Sequence, residues 1–312
     1  MIKFILRRLF YGVILLFVIT FLAFILLFSN GSGIARNILG DTATKAQVAA
    51  KAAELGLNRP VLAEYGAWLV KALHGNFGVS WFSYQPVTQT LLSRLGVTLT
   101  LVIGTTVVTA VVAVLLGVLA ARKRGFTDRL VQVLGIVGFA VPGFIVALIL
   151  VTIFAIDVHW FLPTGYTGIG TSFGGWLRTV TLPIVALSLG SIAGVSQQVR
   201  GSVIDALNQD YVRTLRTRGL SSRRIIFKHV LRNAGGPALT VLALQFVGLL
   251  GGVVVVESIF AIPGIGQIAV QSTTEGDIPL VMGLVVAMAV IVVTVNLLVD
   301  IGQGLLNPKA RL

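Results

Sequence analysis

Cysteine is absent from the 312 residues, which removes disulfides, thiolate metal sites and cysteine nucleophiles together. Histidine is nearly absent: His74, His159 and His229 are the three, and no two stand at metal-ligand spacing. Charge is scarce as well. Asp, Glu, Lys and Arg make up 11 % of the chain, where a soluble domain carries roughly a quarter to solvate its surface. A water-exposed globule with so few charges would leave too much apolar surface uncovered. A soluble enzyme, a disordered chain and a secreted disulfide scaffold are excluded. What is present is apolar: 56 % of residues are hydrophobic, and the mean hydropathy is +0.95. The class is an all-α integral membrane protein.

Crossing ~30 Å of hydrocarbon takes about 20 apolar residues as a helix. Six stretches qualify: 9–28, 96–121, 130–155, 180–199, 237–256 and 278–301, and the only charged residue in them is Asp300, near the last end. The 24 basic residues outnumber the 11 acidic ones, and their placement is the informative part. With the N-terminus inside, seventeen of them fall on cytosolic segments, from Lys3, Arg7 and Arg8, through Arg122, Lys123, Arg124 and Arg129 and the stretch 200–232, to Lys309 and Arg311. The short external loops hold Arg178 alone, and the segment 29–95 is long enough to escape the positive-inside rule. Both termini are therefore expected in the cytosol. The excess charge reads as a topology signal beside anionic lipid, and no basic face with interleaved aromatics suggests nucleic acid. The first apolar run is too long for a cleaved signal peptide.

The segment 29–95 is patterned like a small helical subdomain. Thr44 is a candidate N-cap for a helix over 45–55, ended by Gly56. Asn58-Arg59-Pro60 marks the next start, with Leu62, Tyr65, Leu69 and Leu73 expected on one face. A turn-rich aromatic stretch follows at 75–82. The subdomain serves either as a cap packed on the bundle or as a dock for an external partner.

The inner segment 200–236 carries the most chemistry. Asp210 is expected to cap a short helix over 211–218 on which Leu207, Tyr211 and Leu215 recur at helical spacing. Gly219 stands where a helix needs a left-handed residue, and Ser221 or Ser222 can cap a second helix running to about Arg232. Leu220, Phe227 and Leu231 are expected to form an apolar ridge among Arg223, Arg224, Lys228 and Arg232. A helix lying on the membrane surface shares this composition. The glycine turn instead favours a projecting elbow.

These residues carry a family pattern. Tyr211-Val212-Arg213-Thr214-Leu215-Arg216-Thr217-Arg218-Gly219-Leu220-Ser221, with Lys228-His229-Val230-Leu231-Arg232-Asn233-Ala234 downstream, resembles the cytosolic loop of ABC-importer permeases, above all the dipeptide/oligopeptide branch. The general loop reads E-A-A-x3-G-x9-I-x-L-P; here Arg213-Thr214-Leu215 replaces the triplet, and His229 and Arg232 replace the isoleucine and proline. The peptide branch commonly departs in the same way. Leu55-Gly56-Leu57-Asn58-Arg59-Pro60, Gly78-Val79-Ser80 through Gln85-Pro86-Val87, and Glu257 through Gly266 are similar to further segments of that branch, so the resemblance spans nearly the whole chain. Ser29-Asn30-Gly31 stands where the branch often has P-G-D.

The resemblance implies a type I importer permease with six transmembrane helices and a small helical external segment between the first two. Its parts would be 1–28, an inner N-terminus and first span; 29–95, the external segment; 96–303, the transmembrane domain with its coupling loop at 200–236; and 304–312, a cytosolic tail. It implies a multi-pass subunit of the bacterial inner membrane that forms half of a path for short peptides. Its partners would be a second homologous permease, two ATP-binding subunits or domains, an external substrate-binding protein and the lipid bilayer. Coupling to the ATPases would fall on Arg213, Thr214, Leu215, Gly219, Leu220, Ser221, Arg224 and Phe227. The chain has no G-x-x-x-x-G-K-[ST] loop, so ATP and magnesium would sit on the partners; no metal, cofactor or catalytic set is expected here. Candidate path residues are Gln245, Ser191, Glu257, Phe139 and Pro142. Gln245 leads because a mid-span amide is costly to face to lipid, while Pro142-Gly143 is expected to kink the third span. Glu257 reads structurally as an interfacial carboxylate, and the branch places it near the outer gate. Membrane Ser and Thr usually satisfy their own helix. A proton- or sodium-coupled transporter would place ionisable groups mid-span, an intramembrane enzyme would need a reactive cluster, and an exporter would carry a fused ATPase; none is evident. The cargo stays open, since the branch also includes permeases for nickel, glutathione and haem-like compounds.

Overall fold

The computed structural model describes residues 2–29, 31–123 and 125–306. Asn30, Arg124, Lys309 and Arg311, and the side chain of Lys3, lie outside the described part. Among the described residues the regular structure is helical, with one isolated antiparallel bridge between Val79 and Pro86. Among the described residues five helices are long and apolar enough to span a membrane: Ile5–Phe28 (within α1, Ile2–Phe28), Val87–Arg122 (α5), Phe173–Leu207 (α8), Ser222–Ile259 and Ile278–Leu306 (α13). A sixth span is formed if α6 (Phe126–Ala140) and the helix Gly143–Asp157, bent by 93° against it, count as one. Several helices exceed the length that hydrocarbon requires, so their ends extend beyond it. The helix α13 continues to Leu306, through the first residues of the expected tail 304–312.

The third span departs from expectation. A single kinked helix was the reading for 130–155, but the chain breaks at Val141, which is extended (φ −86°, ψ 118°). Pro142 causes this: its ring disfavours a helical residue before it and it has no N–H to carry the ladder on. The second half begins as α7 (Gly143–Leu150) and widens into a π-helical turn at Val151–Asp157.

The chain divides into two compact units. One comprises Leu6–Thr98 and Gly264–Thr294. It holds the short helices α2 (Gly31–Leu39), α3 (Lys45–Glu54), α4 (Val61–Leu73) and α12 (Ile265–Glu275). A capping box starts α3: the Gln47 N–H donates to Thr44 Oγ1 at 3.3 Å and the Thr44 N–H to Gln47 Oε1 at 2.9 Å. Gly56 ends it at φ +73°. Pro60 is the N-cap of α4 rather than its first residue. The buried face of α4 also differs from the sequence reading. Val61, Tyr65, Trp68 and Leu69 pack on a core of Phe24, Phe28, Ile34, Val48 and Met282, while Leu62 and Leu73 are 70 % and 72 % exposed. At about 100° per residue those two leucines sit to the side of the stripe centred on Tyr65. Tyr65 OH and Thr20 Oγ1 hydrogen-bond at 2.9 Å inside this core.

The other unit comprises Met1–Ile5, Leu99–Pro263 and Val295–Leu312. Here α6 and α7 pack on α8 through glycines. A Cβ on Gly135 would meet Gln197 Nε2 at 2.9 Å, one on Gly138 the Leu189 carbonyl at 3.5 Å, and one on Gly143 the Ala186 carbonyl at 3.7 Å. The small-residue contacts bring helix backbones close, the packing that membrane helices use where burial gives no drive. After α8 comes the short helix α9 (Asp210–Thr217), and then α10 (Ser222–Arg224), a π-helical turn (Ile225–Val230) and α11 (Leu231–Ile259) in unbroken succession. The second basic helix therefore does not stop near Arg232. It runs into the fifth span, Pro237 included. A hydrocarbon environment offers no water to replace the helix ladder, which makes continuation the cheaper course.

Candidate coupling elbow and polar helix faces

The elbow between α9 and α10 is built by its backbone. Gln209, not Asp210, occupies the N-cap of α9 and makes no side-chain cap bond. Asp210 is the first helical residue, where its charge meets the positive end of the helix dipole. At the other end Gly219 has φ +76°. Its N–H donates to the Arg216 carbonyl at 2.9 Å and the Leu220 N–H to the Leu215 carbonyl at 3.2 Å. Those are the two bonds of a Schellman motif, with Leu215 and Leu220 as its apolar clasp. A Cβ on Gly219 would meet nothing within 4 Å, so the requirement is the left-handed backbone alone. Ser221 then caps the next helix, its Oγ accepting from the Arg224 N–H at 3.4 Å.

The elbow has two faces. Val212, Ile225 and Val230 are buried, with Leu215 and Leu220 packed beside them, in one core with Ala113 and Ala121 of α5, Val199 and Val203 of α8 and Ala234 of α11. Outward lie Arg213, Thr214, Arg216, Arg218, Ser221, Arg223, Arg224 and Lys228. The expected ridge of Leu220, Phe227 and Leu231 is thereby corrected. Leu220 and Leu231 turn to the core, and only Phe227 projects, 59 % exposed, in a shallow depression with Ser221, Arg223, Arg224 and Lys228. Leu215 also belongs to the inner face.

A charge pair that sequence reasoning missed braces the same unit. Arg200 Nε donates to Asp128 Oδ1, and Arg200 Nη2 donates to Oδ2 at 2.7 Å. The partners are 72 positions apart, so no local pattern announces them.

The candidate path residues separate into three places. Ser191 is buried on α8, its Oγ donating to the Leu187 carbonyl at 3.3 Å, which satisfies it within its own helix. Gln245 is half-buried on α11, its Nε2 standing 2.9 Å from where a Cβ of Gly194 would be. Ser191 and Gln245 thus belong to one packed helix pair. Phe139 and Pro142 lie on the exposed side of the broken third span, Phe139 at 74 % exposure. Glu257 ends α11 fully buried, which corrects its reading as an interfacial carboxylate.

In the other unit Asp277 was likewise not singled out. It is buried before α13, where Ser80 Oγ donates to its Oδ2 at 2.5 Å and the Trp81 and Leu280 N–H groups donate to Oδ1 at 3.3 Å each. Burial pushes the Asp277 carboxyl above its usual range, and the hydrogen bond from Ser80 acts against that. Ser80 and Asp277 lie 197 positions apart; the turn-rich stretch at 75–82 was the only hint. Among the described residues, no group of His, Asp and Glu is arranged to hold a metal ion.

Comparison with known proteins places these features in context. Residues 113–312 match the model of the binding-protein-dependent transport system inner membrane component, and residues 1–102 match the N-terminal model of such membrane components. The chain is similar to a probable peptide ABC transporter permease of Sinorhizobium fredii, 38 % identical over 99 % of both chains. It is 34 % identical to a putative peptide transport system permease of Brucella abortus over 98 % of both. It is 36 % identical to the oligopeptide transport system permease AppB of Bacillus subtilis over 81 % of this chain and 82 % of that one. Its fold is similar to a chain of the inward-facing MetNI methionine ABC transporter, with a TM-score of 0.55 and 18 % identity, covering 70 % of this chain and 97 % of the other.

Proposed function

We propose that this chain, which belongs to the family of binding-protein-dependent transport system inner membrane components, is the permease subunit of an ATP-driven importer of short peptides. It forms half of the path; a second, homologous permease supplies the other half, and two separate ATPase subunits supply the energy. The distribution of Lys and Arg supports an arrangement with both termini and the elbow in the cytosol and 29–95 outside. An external binding protein delivers the cargo there.

The observation that carries the proposal is the two-faced elbow. Its inner face shares one core with the ends of α5, α8 and α11. Close-packed cores do not deform continuously, so a push on the elbow moves those helix ends as a body. Its outer face supplies the grip. Each exposed ion pair from Arg213, Arg216, Arg223 or Arg224 contributes ~0.2–1 kcal/mol, enough to orient docking. Burying the exposed part of Phe227 in a groove of the ATPase contributes about 1–2 kcal/mol more. In the path itself, Gln245 on the α8–α11 pair offers an amide that can donate to and accept from a peptide group.

Gly219→Asp tests the proposal. Any side chain at the left-handed Gly219 costs up to about 1–2 kcal/mol, and an aspartate there also sets a negative charge among the outward arginines, so the elbow is weakened while the spans insert. Reconstituted with its partners, the variant is expected to show normal membrane levels and clearly reduced ATP-dependent peptide uptake. Uptake at the wild-type rate, or transport by the chain without any ATPase, refutes the reading. Phe227→Cys is the position to crosslink to the ATPase, because Phe227 projects while Leu220 faces the core.

A further inference from the structure

A second polar site lies within the unit that contains the segment 29–95. The first turns of α5 and one face of α12 enclose a cleft of about 560 Å³, a size within the range of small-ligand sites. Gln85 lines it from the turn before α5, Gln89 and Arg94 from the first turns of α5, and Gln271 and Glu275 from α12. Arg94 is half-buried yet has no hydrogen bond or ion pair among the described residues. Glu275 is half-buried too, and its Oε1 accepts from Gln271 Nε2 at 2.9 Å. The two opposite charges line one cleft without neutralising each other. No ion pair joins them, so both poles are open to a ligand. An anion alone would leave the carboxylate uncompensated, and a cation alone the guanidinium. A zwitterion compensates both. Asp277 does not compete for the ammonium end: it is buried, and its oxygens accept from Ser80 Oγ and the Trp81 and Leu280 N–H groups. The free amides of Gln85 and Gln89 match the peptide groups between the two ends.

We propose that this cleft binds a short peptide by its free termini, Arg94 taking the carboxylate in a bidentate pair and Glu275 taking the ammonium, as a holding site on the outer side before the path. The inference rests on the importer reading for its ligand class and orientation.

The test uses the assembled importer in lipid nanodiscs, without nucleotide or external binding protein, and isothermal titration with trialanine, trialanine amide and N-acetyl-trialanine. Arg94→Gln is expected to weaken trialanine binding by about tenfold or more while leaving trialanine amide unchanged, because the amide lacks the charge that the guanidinium holds. Glu275→Gln is expected to do the same for trialanine against N-acetyl-trialanine. On the wild-type protein both blocked peptides bind more weakly than trialanine, which keeps the test independent of how the variants fold. Equal weakening of free and amidated peptide by Arg94→Gln, or no weakening of either, overturns the proposal. So does a variant that binds trialanine normally but no longer captures the external binding protein, which would make the cleft a protein dock. ATP-dependent uptake is read separately: normal uptake with no cleft effect refutes this inference alone.

Discussion

Neutralising Asp128 tests how the start of α6 is held to α8. Arg200 and Asp128 are joined by two parallel hydrogen bonds, and their side chains are 24 % and 16 % exposed. Removing one partner of a fully buried pair costs about 3–5 kcal/mol. An exposed pair is worth ~0–1 kcal/mol. With about a fifth of each side chain in solvent, Asp128→Asn should cost about 2–3 kcal/mol, since the amide keeps the shape but leaves the guanidinium uncompensated. Asp128 also sits in the first turn of α6, where losing the negative charge forfeits a further ~0.3–1 kcal/mol of helix-dipole interaction. The double-mutant cycle of Asp128→Asn, Arg200→Gln and both together isolates the pair term, read as unfolding free energy from SDS titration in mixed micelles. A coupling of about 2 kcal/mol is expected. Because α8 runs on through Leu207 to the elbow at α9, the single variants should also lower uptake per ATP hydrolysed, and the reversed pair Asp128→Arg with Arg200→Asp should restore part of it. Additive single effects, with a coupling under about 0.5 kcal/mol, would refute the brace.

Asp277 gives the pH dependence. Its carboxyl lies above its ordinary value of 3.8, so between that value and the raised one the folded state binds more protons than the unfolded state. Stability of its unit should therefore rise as pH falls from neutral into this window, and decline as pH rises through it. Asp277→Asn keeps an acceptor for the Trp81 and Leu280 N–H groups, but Ser80 Oγ already accepts from the Phe82 and Ser83 N–H groups, so the Ser80 hydroxyl loses its acceptor. The variant should flatten the profile in hydrogen-exchange measurements, whatever its effect on stability at pH 7; a profile that keeps its slope contradicts the assignment. Gly117→Ala would set a Cβ 2.8 Å from the Ser196 carbonyl oxygen and 2.7 Å from Val199. It should cost about 1–3 kcal/mol by micelle unfolding, and an unchanged midpoint would refute the close α5–α8 contact. Tyr211 OH is buried without a hydrogen-bond partner among the described residues. Tyr211→Phe removes an unsatisfied group and should raise or preserve thermal stability, whereas a loss above ~1 kcal/mol would show that the hydroxyl is bonded in solution.

The elbow was legible in the sequence because its cause is local. Gly219 follows a helical repeat, Ser221 stands three residues before an N–H to cap, and each signal needs only its neighbours. Thr44 with Gln47 was similarly local on its Thr side, although the reciprocal Gln47 bond completed it. The pairs Arg200–Asp128 and Ser80–Asp277 were not legible, since each joins segments far apart in the chain and depends on helix packing. The break at Val141 was underestimated as a kink: Pro142 pointed to the position, but the 93° bend follows from how α6 and α7 each seat against α8.

Facing direction was the hardest feature to read, and the reason is particular to this class of protein. In a soluble helix the buried stripe is apolar and the rest is polar, so hydropathy marks the inside. In α5 or α13 both the lipid side and the protein side are apolar, and the contrast disappears. Close approach of backbones then marks the packed face. Gly104 meets Ile184 at 2.6 Å, Gly117 meets Val199 at 2.7 Å, Gly135 meets Gln197 and Gly194 meets Gln245 at 2.9 Å each, and Gly235 meets Leu306 at 2.9 Å, all measured from an added Cβ. Each side chain in that series fills a place that only a glycine leaves open. Gln245 entered the candidate path on its polarity alone, yet a glycine on the neighbouring helix is what gives its amide room. Gly194→Ala should therefore displace the Gln245 amide while leaving α8 and α11 helical. Reduced uptake of peptide with unchanged assembly and ATPase binding would connect that amide to the path, and unchanged uptake would assign Gln245 to packing.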